Sequence, residues 1–67
     1  MNIVINGDTR AFDSPLTLAG LIEKLGMKLD RVAVELNGEI APREQWPSTQ
    51  LRDQDQLEIV HFVGGGR

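Results

Sequence analysis

A chain of 67 residues without cysteine can form one small domain, and it excludes disulfide bonds, cysteine–metal sites and thiol chemistry. Its net charge of −3 and its seven scattered lysines and arginines give no basic patch typical of nucleic-acid binding. With 40% hydrophobic and 25% charged residues the composition is globular, and no apolar run approaches the roughly 20 residues of a membrane span. We therefore expect a cytoplasmic protein with no nucleic-acid or membrane partner and no enclosed catalytic cleft.

The N-terminal segment predicts a β-hairpin. Apolar residues alternate over positions 1–6, which is typical of a half-buried strand. Asn6-Gly7-Asp8 then favours a tight turn, because asparagine and glycine tolerate the positive φ that such turns need. The return strand is predicted over residues 9–13, with Phe12 as its core residue.

One amphipathic helix follows the hairpin. Thr17 is a suitable N-cap, and Gly26 is a suitable residue for the C-terminal end of the helix. Between them, four apolar residues recur at helical spacing and form a single stripe: Leu18, Leu21, Ile22 and Leu25.

The second half of the chain predicts further strands. Residues 32–36 alternate as a strand, and Asn37-Gly38 turns it. The proline-containing segment 41–48 favours a turn or one short helical turn. A short strand near residues 50–52 is possible, and residues 56–62 predict the last strand.

This order of elements predicts an α+β domain with the β-grasp arrangement. A lone amphipathic helix must bury its stripe against a sheet, so we expect a mixed sheet of four or five strands with the helix across one face. The strand after the helix is expected to lie parallel to the first strand through a right-handed crossover. The predicted core is Ile3, Ile5, Phe12, Leu18, Leu21, Ile22, Leu25, Val32, Val34, Leu36, Leu57 and Ile59.

The last four residues of the chain are three glycines and one arginine. We therefore divide the chain into a domain over residues 1–63 and a tail over residues 64–67. Gly64, Gly65 and Gly66 carry no side chains to pack, so we expect the tail to be extended and mobile. A thin tail can enter a narrow channel in another protein, which makes its terminal carboxylate a candidate reactive group. A functionless floppy end is an equally good interpretation of the tail alone.

Few side chains suggest catalysis or metal binding. His61 could act as a general base, but a strand-end histidine at the rim of the core is the better interpretation. Asp53 and Asp55 indicate a solvated turn, because a calcium loop needs more oxygen ligands. Trp46 is predicted to fill one end of the core rather than to anchor a partner. We therefore predict no catalytic residue and no metal ligand.

Two apolar residues of the last strand are candidates for partner docking. Leu57, Ile59 and His61 share one face of that strand, which places Val60 and Phe62 on the other. In a two-layer domain the face opposite the helix is open to water. Val60 and Phe62 therefore predict either a docking patch beside the tail or a partly exposed strand end.

The chain resembles the ThiS-type sulfur carriers of thiamin biosynthesis, which are ubiquitin-like β-grasp proteins. The resemblance covers residues 1–66 and is strongest in Ile-Val-Ile-Asn-Gly at 3–7, in residues 32–40 with Pro42-Arg43 and Trp46, and in residues 57–66. The chain is also similar in length and ending to the small subunit of molybdopterin synthase. The middle run with Trp46 favours the ThiS type.

The resemblance implies a carrier rather than an enzyme. An E1-like activating enzyme uses ATP to adenylate the carboxylate of Gly66, a sulfur donor protein converts it to a thiocarboxylate, and thiazole synthase accepts the sulfur. By this resemblance Gly66 and Gly65 form the sulfur-carrying end, and Gly64 extends its reach. From their outward direction beside the tail, Val60 and Phe62 are the predicted docking residues for the activating enzyme and thiazole synthase. We expect no bound cofactor.

One residue departs from the family pattern. Family members end on glycine, whereas Arg67 follows Gly66 here. Arg67 is then trimmed before use, foreign to the natural chain, or incompatible with activity. The alternatives for function are a carrier for molybdopterin synthesis, tRNA thiolation or cysteine synthesis, a ubiquitin-like modifier of lysines, or a plain interaction module.

Overall fold

The computed structural model describes residues 1–62, which form a five-stranded mixed sheet with one α-helix across one face. This architecture confirms the predicted α+β, β-grasp class. The strands lie in the order β2-β1-β5-β3-β4. Their bounds are Asn2–Ile5 (β1), Asp8–Ala11 (β2), Val32–Leu36 (β3), Glu39–Ile40 (β4) and Gln56–His61 (β5). The α-helix is Leu18–Lys24 (α1), and two 3-10 helices span Leu29–Arg31 and Arg43–Ser48.

The hairpin forms as predicted, with a shorter return strand. Asn6 and Gly7 adopt φ values of 50° and 89°, which the tight turn between β1 and β2 requires. Strand β2 ends at Ala11 rather than at residue 13. Phe12 therefore lies just beyond the strand, where it is only half-buried against the core.

The predicted N-cap, apolar stripe and C-terminal end of helix α1 are confirmed. The Thr17 hydroxyl oxygen accepts a hydrogen bond of 3.0 Å from the Gly20 N–H, which satisfies a donor of the first turn. The apolar stripe faces the sheet, and Gly26, with φ of +77°, allows the chain to leave the helix. In the part of the chain that the structure describes, no helix is long and apolar enough to cross a membrane.

The direction of the strand after the helix was predicted wrongly. Strand β3 is antiparallel to β5, and β5 is parallel to β1, so β3 runs opposite to β1. The physical reason is that the helix connects β2 to β3. A crossover makes its two flanking strands parallel, and β2 is already antiparallel to β1.

The connector before β5 also differs from the prediction. The fifth strand is β4, which pairs with β3 through the turn at Asn37-Gly38. The expected strand at residues 50–52 is reduced to a single bridge between Gln50 and Thr17. The segment 41–48 confirms its predicted short helical turn, since Arg43–Ser48 is a 3-10 helix.

The core lies between α1 and the sheet, closed at one end by the second 3-10 helix. Three predicted core residues, Phe12, Leu25 and Leu36, are half-buried at its margin. Leu16 and Leu51 were not predicted and are buried, because each flanks the irregular segments that cover the core. The buried set is Ile3, Ile5, Leu16, Leu18, Leu21, Ile22, Val32, Val34, Trp46, Leu51, Leu57 and Ile59.

Candidate functional site

The candidate site is the end of strand β5 and the sheet face beside it. Strand β5 lies between β1 and β3, so both of its edges are paired. The pairing extends past the strand, because the Phe62 N–H donates to the Arg31 carbonyl at 2.7 Å. The tail residues Gly64, Gly65 and Gly66, with Arg67, lie outside the described residues. The structure therefore describes the base from which the tail leaves.

The side chain of Asn6 fastens β5 to β1. Its Oδ1 accepts a hydrogen bond of 2.7 Å from the Ile59 N–H, and its Nδ2 donates one of 3.2 Å to the Ile59 carbonyl. The last backbone hydrogen bond between the two strands runs from the Asn6 N–H to the Leu57 carbonyl at 2.9 Å, and the Asn6 side chain continues the ladder where the backbone turns away. Sequence reasoning assigned Asn6 to the turn alone and missed this second role.

Replacing Asn6 should weaken this attachment measurably. We expect Asn6→Ala to lower the free energy of unfolding by about 1–3 kcal/mol, because the two polar groups of Ile59 lose their partner. Urea unfolding followed by circular dichroism measures the effect. Asn6→Gly is the control, since it keeps the positive φ and removes only the side chain. A wild-type midpoint for Asn6→Gly would contradict the role of the side chain.

The other end of β5 is held by the turn at residues 53–55. Asn37 Nδ2 donates to Asp55 Oδ1 at 3.0 Å, and Asn37 Oδ1 accepts from the Gln56 N–H at 2.9 Å. The Asn2 N–H donates to Asp53 at 2.6 Å and lowers the pKa of that carboxyl below its ordinary value. The predicted solvated turn is therefore exposed, but its carboxylates are structural hydrogen-bond acceptors. Within residues 1–62, no group of histidine and acidic side chains could hold a metal ion.

The sheet face opposite the helix exposes three large apolar side chains within residues 1–62. Val60 is 60% exposed and Phe62 is 45% exposed, which confirms their predicted outward direction. Phe62 lies one residue beyond the end of β5 rather than within it. Ile40 is 79% exposed and was not predicted, because strand β4 was missed. We call Ile40, Val60 and Phe62 the apolar patch.

The two remaining candidate side chains have structural positions. His61 ends β5, but it is exposed rather than at the rim of the core. Trp46 is 2% exposed and donates from Nε1 to the Ala41 carbonyl at 2.9 Å, so it fills the core as predicted. The Arg43 guanidinium lies 5.2 Å from the centre of the Trp46 ring and donates to the carbonyls of Leu29 and Val32. This role of Arg43 was missed.

Comparisons with known proteins agree on one family. The model of the ThiS family matches residues 3–66. The Sulfur carrier protein ThiS of Escherichia coli (strain K12) is 30% identical over 66 residues, which cover 98% of this chain and 100% of that protein. A Thiazole synthase of Paramagnetospirillum magneticum is 44% identical over 66 residues. The chain spans only about one fifth of the length of that protein.

A solved structure supports the same assignment. The crystal structure of the thiamine biosynthesis protein ThiS from Geobacter metallireducens is similar to this fold with a TM-score of 0.82 and 36% sequence identity. The similarity covers 98% of this chain and all of that one. Because the family match runs from the first strand through the last glycine, and the fold agrees with it, this chain belongs to the ThiS family.

Proposed function

We propose that this chain carries sulfur on the carboxylate of Gly66 and delivers it for thiazole formation in thiamin biosynthesis. The observation that carries the proposal is the family match, which extends through residue 66 and so includes all three tail glycines. The Escherichia coli relative, which matches this chain over its own full length, is named a sulfur carrier protein, and the similar solved structure is named a thiamine biosynthesis protein. The chain is then a co-substrate whose reactive group is its backbone terminus.

The chemistry of this cycle needs two partner steps. In the first, a carboxylate oxygen of Gly66 attacks the α-phosphorus of ATP, and pyrophosphate leaves to give an acyl-adenylate. In the second, hydrosulfide supplied by a sulfur donor protein attacks the carbonyl carbon and AMP leaves. The thioacid that results loses its proton and becomes the thiocarboxylate. An E1-like activating enzyme supplies the ATP site. Glycine suits the reacting position because no Cβ obstructs approach to the carbonyl carbon.

The second partner in this proposal is a thiazole synthase. Its support is that two relatives named thiazole synthase contain a segment similar to this whole chain, which makes up 20% and 21% of their lengths. Joining a carrier to its acceptor raises the effective concentration of one for the other. Such an arrangement is useful when the two proteins must meet in every cycle.

The apolar patch is the proposed docking surface for these partners. Val60 and Phe62 lie on the open sheet face beside the base of the tail. Val60 pairs with Ala33 of β3, and the Phe62 N–H donates to the Arg31 carbonyl, so the backbone that carries both side chains is fixed. Burying such side chains against a partner removes apolar area from water, which stabilises a complex by roughly 25 cal/mol per Å² before the costs of association.

Phe62→Ala should weaken docking with little change in stability. We expect the dissociation constant for the activating enzyme or thiazole synthase to rise about tenfold, which is about 1.4 kcal/mol. The melting temperature should stay near the wild-type value because Phe62 is 45% exposed. Isothermal titration calorimetry and thermal unfolding measure the two effects. Phe12→Ala is the matched control, since Phe12 packs against the core and its loss should affect stability instead.

The proposal as a whole is tested by the mass of the chain isolated from cells that make thiamin. A species that ends at Gly66 with one oxygen replaced by sulfur is expected. Incubating that species with thiazole synthase, molybdopterin synthase or a tRNA-thiolating enzyme identifies the acceptor by its product. Sulfur transfer to another product, or adducts on lysine side chains, would replace the thiazole role with one of the alternative functions.

A further inference from the structure

Two glutamates lie directly opposite each other on the open sheet face. The register of β3 and β5 pairs Glu35 with Glu58, and both are exposed. The Asn37 N–H donates to the carbonyl of Gln56 opposite it, and the Phe62 N–H donates to the carbonyl of Arg31 opposite it. Hydrogen-bonded pairs recur at every second position of an antiparallel ladder, so Glu35 and Glu58 also form such a pair. The Cβ atoms of two residues directly opposite each other are about 4.5–5.5 Å apart.

This pair is unfavourable in the free domain. Like charges directly opposite each other on antiparallel strands destabilise a sheet. Both glutamates line a shallow groove whose other described lining residues are Ala33, Val34, Ile40 and Val60. None of the described lining residues is basic, so none of them neutralises the two carboxylates.

The charge pair lies inside the proposed docking surface rather than beside it. Ile40 pairs with Glu35 across β4 and β3, and Val60 is two residues along β5 from Glu58. The two carboxylates are thus bordered by the exposed apolar side chains of Ile40 and Val60. A complementary surface needs positive charge at its centre and apolar groups around it.

We infer that Glu35 and Glu58 form the charged centre of the docking face and bind an arginine or lysine that is flanked by apolar side chains on the partner protein. This inference rests on the proposed function for the identity of the partner. A guanidinium is the better match, because its fork can donate to both carboxylates at once. The pair also attracts a basic surface at a distance, which raises the rate of association.

Charge reversal of Glu35 separates stability from docking. Glu35→Lys places an opposite charge across from Glu58, so the melting temperature should rise. The same change should slow association with the activating enzyme and thiazole synthase by about tenfold at low salt, and it should flatten the dependence of that rate on salt. Glu23→Lys on α1 is the matched control, since it changes the net charge equally on the opposite side of the sheet.

Stopped-flow association and thermal unfolding of the two variants decide the matter. A higher melting temperature with slower association for Glu35→Lys, and neither effect for Glu23→Lys, supports the inference. Equal association rates for the two variants would overturn it, and so would a dimer of the free chain that Glu35→Lys disrupts. Pyrophosphate exchange should be unchanged in the control variant Glu23→Lys, which lies outside the docking face. These measurements use chains that end at Gly66. Exchange by that chain with no effect of Glu35→Lys on the association rate overturns this inference alone, whereas neither exchange nor binding by that chain without a substitution overturns the proposed function as well.

Discussion

A chain that ends at Gly66 is expected to support ATP–pyrophosphate exchange by the activating enzyme at least about 100-fold faster than the chain that ends at Arg67. The carboxylate of Arg67 lies one residue further along, which is roughly 3.3–3.6 Å in an extended chain. Displacement of a reacting group by even about 1 Å can cost on the order of 100-fold in rate. The guanidinium adds a further penalty, because burying it unpaired in a narrow channel is costly.

Three chains make this experiment decisive. They end at Gly65, Gly66 and Arg67, and each is incubated with the activating enzyme, ATP and labelled pyrophosphate. Only the chain ending at Gly66 should transfer label into ATP, because the other two displace the carboxylate in opposite directions. Equal exchange by the chains ending at Gly66 and Arg67 would show that Arg67 does not block activation and that its own carboxylate can react.

Leu21→Ala is expected to leave the domain largely unfolded. Leu21 is 0% exposed in the stripe of α1 that packs on the sheet. Truncating such a leucine costs about 2–5 kcal/mol, since the transfer free energy is lost and a cavity remains. A domain this small that contains no cysteine for a disulfide has only a few kcal/mol of stability to lose.

Circular dichroism and urea unfolding measure this loss. Ile40→Ala is the control, because Ile40 is an exposed residue of the apolar patch and its truncation should change the free energy of unfolding by less than about 0.5 kcal/mol. A folded Leu21→Ala domain with a wild-type midpoint would contradict the two-layer packing between α1 and the sheet.

Local patterns predicted the elements whose causes are local. The cap at Thr17 and the apolar stripe of α1 depend on residues within one or two turns of each other, and both were predicted correctly. Strand β4 was missed because two residues, Glu39–Ile40, are too few to show an alternation. The direction of β3 was wrong because it was related to β1 instead of to β2, the strand that leads into the helix.

The same distinction between local and long-range causes applies to the candidate site. The outward direction of Val60 follows from the alternation along β5, so the sequence is sufficient to predict it. The opposition of Glu35 and Glu58 depends on the register between two strands, and the link from Asn6 to Ile59 spans 53 residues. No local sequence pattern specifies these two contacts, because they form only when the strands pair around the folded core.

The position of β5 has a mechanical consequence for the proposed function, in which several enzymes bind the C-terminus in turn. A terminal segment attached to an edge strand can be peeled away one hydrogen bond at a time. Strand β5 is instead interior, parallel to β1 and antiparallel to β3, with Asn6 as a further attachment. A force along the strand axis acts on the hydrogen bonds to both neighbouring strands at once, so these bonds resist it together. A partner protein can therefore pull on the C-terminus while the domain stays folded.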